Sequence, residues 1–109
     1  MREIICATKN FDKKMAINSR NGIPMQDNLG RAEVMAVAVM KDTDEETGEI
    51  KEVGVLVTEE SDYLTCISAT VIDVLPDLVE FVDAEEIVSV NISSRKSKGG
   101  RDFLTLTIL

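Results

Sequence analysis

The hydrophobic pattern of the chain changes period twice, and those changes mark out its elements. From Glu33 to Met40 the sequence is a nearly unbroken apolar run, Val34-Met35-Ala36-Val37-Ala38-Val39-Met40. Its length and β-branched content predict a strand buried on both faces, with Met and Ala leaving a helix open. Asp42 to Gly48 then reads as a solvated hairpin loop, Gly48 being free to take positive φ. From Lys51 to Thr58, Val53, Val55 and Val57 alternate with Glu52, Gly54, Leu56 and Thr58, which predicts a half-buried strand pairing back on the first. A turn at Glu59 to Asp62 leads into a third strand from Tyr63 to Ile67.

The period then becomes helical. Ser68 is a suitable N-cap, and Val71, Val74, Leu75, Leu78 and Val82 recur at three- and four-residue spacing. Pro76 lacks an N–H and predicts a kink or break near Leu75. After Glu86 alternation returns, with Val88, Val90 and Ile92 on one face. Ser94 to Arg101 is a basic turn containing Gly99-Gly100. The last strand sets Leu104, Leu106 and Ile108 inward against Phe103, Thr105 and Thr107 outward. Residues 10 to 30 show no sustained period and carry the turn signals Asn21-Gly22 and Ile23-Pro24, so they read as an irregular arm with one helical turn around Lys13 to Asn18.

Five strands with one helix between the third and fourth is the chain order of the oligonucleotide-binding (OB) barrel, although a generic α+β meander gives the same string. The expected fold is therefore mostly β: a five-stranded OB-like barrel at 31–109, with residues 1–30 as an arm packed on it.

At 109 residues, 44% of them apolar, the chain suits one domain with a real core. No apolar run reaches the ~18 residues of a membrane span, and the start lacks the pattern of a secretory signal. Two cysteines then read as reduced cytosolic thiols. Histidine is absent, which removes the commonest general base and zinc ligand, and no phosphate-binding or nucleophile motif is present. The crowded carboxylates Asp42, Asp44, Glu45 and Glu46 lack the spacing of a calcium loop and read as a solvated turn. The sequence points to no enzyme, no cofactor and no metal.

Charge alters the picture more than composition does. The net charge is −8, which argues against a nucleic-acid partner. Yet residues 1–31 carry six basic and three acidic groups, 32–90 two basic and sixteen acidic, and 91–109 four basic and one acidic. Either the acid is simply a solubilising surface, or the two basic ends meet in the fold and form one positive face. Holding a single strand requires cations for the backbone and flat rings for unpaired bases. Phe103 lies on the polar side of the last strand, beside Arg101, where a stacking ring belongs. Its alternative is to be covered by the arm as ordinary core. Tyr63 is a second candidate ring, with packing as its alternative. Phe11 is weaker, and Phe81 reads as core. Arg95, Lys96, Lys98 and Arg101 fall within seven residues around Gly99-Gly100, and Lys13, Lys14, Arg20 and Arg31 are candidates for a second bank.

Three stretches also carry a family resemblance: Tyr63-Leu64-Thr65-Cys66-Ile67-Ser68-Ala69-Thr70-Val71, the loop Glu46-Thr47-Gly48-Glu49, and the ending Lys96 to Leu106. Across residues 29 to 109 the chain resembles the small single-stranded DNA-binding proteins of phages infecting Gram-positive bacteria. That resemblance implies sequence-independent, replication-associated binding of single-stranded DNA in the host cytoplasm. It leaves the arm uncovered, and the acidic middle departs from what strand binding prefers. A second function class stays open: an acidic phage accessory or inhibitor protein that engages a basic host partner. The same acidic surface would suit replication proteins, and an apolar edge at Thr107-Ile108-Leu109 leans toward a homo-oligomer.

Overall fold

A computed structural model describes residues 2–109; Met1, the first residue of the expected arm, lies outside them. The strand predicted from the apolar run is the spine of the molecule. It extends over Gly30–Thr43 as β3, once β1 (Arg2–Ala7), the short helix α1 (Lys13–Asn18) and β2 (Ile23–Pro24) have preceded it. Next come β4 (Ile50–Thr58), β5 (Tyr63–Cys66), the helices α2 (Ala69–Ile72) and α3 (Leu75–Glu85), β6 (Val88–Lys96) and β7 (Asp102–Ile108).

The strands form one curled, mixed sheet, a half-barrel ordered β2-β5-β4-β3-β6-β7, with β1 also paired to β3. All pairings are antiparallel except β2 with β5. β3 can serve three neighbours because of its length. Gly30 to Val34 pair with β6, Ala38 to Asp42 with β1, and the other edge takes β4. The described residues thus hold seven strands where five were expected, and the arm read as irregular supplies both extra ones. The helical turn at Lys13–Asn18 is present, with Asp12 capping it by accepting from the Met15 N–H at 2.8 Å.

β3 is buried on both faces, as its composition predicts, and each face has its own core. Val37 and Val39 join the larger core under α2 and α3, whereas Ala36, Ala38 and Met40 join a smaller one with Phe11. A bulge at Met35 makes this possible. Two steps along β3, from Val34 to Ala36, match one step along β4, from Thr58 to Val57. The extra residue flips the alternation, so Ala32 and Val34 face the same core as Val37 and Val39.

Three expectations are corrected here. β4 is not half-buried: every residue from Val53 to Thr58 is buried, because the segment around Phe11 and α1 covers its second face. Phe11, a weak candidate ring, is core in that smaller cluster. Phe81, read as core, is 48% exposed, since the buried stripe of α3 runs through Leu75, Leu78 and Val82 and leaves position 81 to one side. The predicted break in the helix occurs at Asp73 and Val74, and Pro76 sits in the first turn of α3, where its missing N–H costs no intrahelical bond. Ser68 occupies the N-cap position of α2 but its side chain makes no capping bond.

Candidate nucleic-acid interface

The sheet ends on one side at β2, beside β5, and on the other at β7. Near these ends lies a groove of about 910 Å³. One wall comes from the N-terminal segment: Arg2 of β1, Ser19 and Arg20 after α1, and Pro24, Met25, Gln26 and Leu29 around β2. Asp42, Lys51, Val53, Thr65, Cys66, Ile67 and Ser68 line it from the central strands. Ser94 of β6 and Asp102, Phe103 and Leu104 of β7 complete it.

Local pairing fixes these positions. The parallel register sets Ile23 against Leu64 and Pro24 against Thr65, which holds Arg20 near the groove through Gly22. A Cβ at Gly22 would lie 2.7 Å from Thr65 Cγ2 and 2.9 Å from the Tyr63 carbonyl oxygen, so only glycine lets this turn sit so close to β5. On the far wall Arg95 and Phe103 are direct cross-strand partners, so ring and guanidinium share a sheet face. The hairpin beyond them closes with Ser97 N–H donating to the Arg101 carbonyl at 2.8 Å and Gly100 N–H to the Ser97 carbonyl at 2.9 Å, Gly100 adopting φ +78°. Arg95, Lys96, Lys98 and Arg101 are all exposed around that tip.

The predicted residues divide into two groups. Phe103 is half-buried, open to the groove rather than sealed under the arm, and Arg20 lines the same space. Tyr63 is also half-buried but packs with the smaller core, and its hydroxyl accepts from Asn18 Nδ2 at 3.3 Å. It does not line the groove, and neither do Lys13 and Lys14, which stand exposed on α1. Arg31 is engaged elsewhere, donating to Glu33 at 2.8 Å and to the Ser89 hydroxyl at 3.1 Å. Bonds from the Ser89 hydroxyl first, and from Arg31 second, pull the Glu33 carboxyl below its usual range.

Among the contributors that escaped sequence reasoning are Arg2, Lys51, Ile67 and Leu29. Lys51 sits between Glu49 and Glu52 and looks like part of an acidic loop. Ile67 is 71% exposed and Leu29 is 51% exposed, and both line the groove. Ile67 alone left a signal, an isoleucine continuing the alternation of β5 just before Ser68. The groove therefore combines exposed apolar surface with Arg2, Arg20 and Lys51, offset by Asp42 and Asp102.

Residues 15–109 match the family model of the phi29 phage single-stranded DNA-binding proteins. The chain belongs to that family. No curated protein and no solved structure matches it. The match to this phage single-stranded DNA-binding protein family begins at residue 15 rather than 29, so it takes in most of α1 and all of β2, and with them every described groove residue except Arg2. The family is a DNA-binding, non-catalytic one.

Proposed function

We propose that this family member binds single-stranded DNA along the groove between β2–β5 and β7, without sequence selection and without catalysis. The observation that carries the reading is the meeting in one groove of apolar side chains with cations of the N-terminal segment and β4: exposed Ile67 and Leu29 and half-buried Phe103 with Arg20 and Lys51, while the C-terminal cations stand outside it on the β6–β7 hairpin. Unpaired bases stack on such a surface, whichever base they are, while the backbone follows the cations. Arg95, Lys96, Lys98 and Arg101 extend the positive track beyond the groove, with Lys13, Lys14 and Tyr63 as an outer bank around α1.

The pairings β3–β4, β4–β5, β3–β6 and β6–β7 support reading residues 31–109 as an OB-like unit on which residues 1–30 are packed. Membership of a phage single-stranded DNA-binding family supports a role in coating single strands during phage DNA replication or recombination, in the host cytoplasm. The test is fluorescence anisotropy of labelled oligo-dT and a length-matched duplex at two salt concentrations. Tight, salt-sensitive binding of the single strand with much weaker binding of the duplex is expected. Equal affinity for both, or none for oligo-dT at low salt, overturns the proposal.

A further inference from the structure

Arg2 precedes the span shared with the family, and among the described residues it alone lines the groove from outside that span. Strand pairing fixes its backbone opposite Asp42, and its Nε lies 3.3 Å from Asp42 Oδ2. The side chain is 24% exposed. Its Nη1, however, is buried without a hydrogen-bond partner. A cationic donor removed from water and left unpaired is costly, and such groups are normally satisfied in a finished structure. Here the group stands in the wall of a groove that also presents Arg20, Lys51 and the apolar surface of Ile67 and Phe103.

We infer that the Arg2 guanidinium is a phosphate seat for the bound strand, so that β1 adds a contact the shared family span does not contain. The inference rests on the single-strand reading above. Asp42 occupies Nε and orients the planar group; Nη1 is closed to solvent in the free protein, so the partly exposed side chain turns toward the groove for a phosphate oxygen to accept from it. Charge-assisted bonds of this kind are the strong ones, and the planar fork suits phosphate better than a point charge does. The neighbouring apolar side chains select an anion that carries flat faces, which a polynucleotide has and a free inorganic anion lacks.

The experiment is a salt series of anisotropy titrations with labelled oligo-dT on the full chain, comparing the native protein with Arg2→Ala, Arg2→Gln, Arg2→Lys and Lys9→Ala. Lys9 lies outside the groove, so its removal controls for net charge. Losing one phosphate contact should flatten the slope of log affinity against log salt by about 0.7 and weaken binding about five-fold at 0.1 M salt. Arg2→Ala and Arg2→Gln should both show this, Arg2→Lys should keep the slope, and Lys9→Ala should match the native protein. Melting temperatures run alongside; if Arg2→Ala melts early, Arg2→Gln decides. A native slope in Arg2→Gln, or equal flattening in Lys9→Ala, overturns the inference while leaving single-strand binding standing. Failure of the native protein to bind oligo-dT at low salt removes both.

Discussion

Phe103 stands on the face of β7 opposite Leu104 and Leu106, which are core, so folding does not require its ring. Replacing it with alanine should therefore separate binding from stability. Stacking is worth about 1–3 kcal/mol per base, so Phe103→Ala should weaken oligo-dT binding by roughly 5- to 150-fold with little change in melting temperature. Anisotropy and thermal melting on the same sample check this, and a full-affinity variant would remove the stacking role. The two thiols offer a second test at this scale. Burial pushes both Cys6 and Cys66 up, with backbone bonds pulling partly the other way, and Cys66 is the more deeply buried. A raised thiol pKa in the folded state means stability is fully present below the unfolded value and is lost as pH rises through the folded one. Thermal melts should thus decline above about pH 9. In timed labelling with a thiol reagent near pH 8, Cys6 should react first and Cys66 only on the timescale of opening. Equal rates at the two cysteines would contradict that order.

At the scale of elements, Gly54 decides how closely α3 approaches the sheet. A Cβ there would lie 2.6 Å from Leu75 Cδ1, 3.3 Å from Cys66 Sγ and 3.4 Å from Ile72 Cγ1. Gly54→Ala should cost about 1–3 kcal/mol through overpacking, measurable by urea denaturation, and an unchanged midpoint would show that α3 has room to shift. The strands and the broken helix were readable in the sequence because their periods are strong and Pro76 and Gly48 are explicit punctuation. The N-terminal segment was not, because β1 and β2 gain their order from partners far along the chain. Ile23 and Pro24 form a strand only by lying against Leu64 and Thr65. The same long-range effect hid the second core: Val53, Val55 and Val57 alternate like a half-exposed strand, and the cover supplied by Phe11 and α1 leaves no periodic trace. Of the groove lining, Phe103 and Arg20 were picked out from residue type and position. Lys51 and Arg2 acquire meaning only when the curled sheet brings its ends together.

For the molecule as a whole, the problem is how a chain of net charge −8 holds a polyanion. Its geometry divides the two signs only in part. Arg2, Arg20 and Lys51 enter the groove, where Asp42 and Asp102 offset part of their charge, and four more cations crown the β6–β7 hairpin. α3, with Asp77, Glu80, Asp83 and Glu85, contributes no groove residue. At physiological salt, exposed charges separated by more than about 8 Å are largely screened, so remote carboxylates repel the strand weakly while nearby cations act at full strength. On the proposed reading the acid then discourages binding of DNA away from the positive track. This separation makes a measurable forecast. Neutralising the helix with Glu80→Gln and Glu85→Gln should leave oligo-dT affinity unchanged within two-fold at 0.15 M salt and raise it only as salt is lowered. Neutralising two hairpin cations with Lys96→Gln and Lys98→Gln should lower affinity at both salts and flatten the salt slope by about 1.4, the share of two phosphate contacts. If the helix variant gains affinity at 0.15 M as much as the hairpin variant loses it, the strand is responding to total charge rather than to a track of groove and hairpin cations.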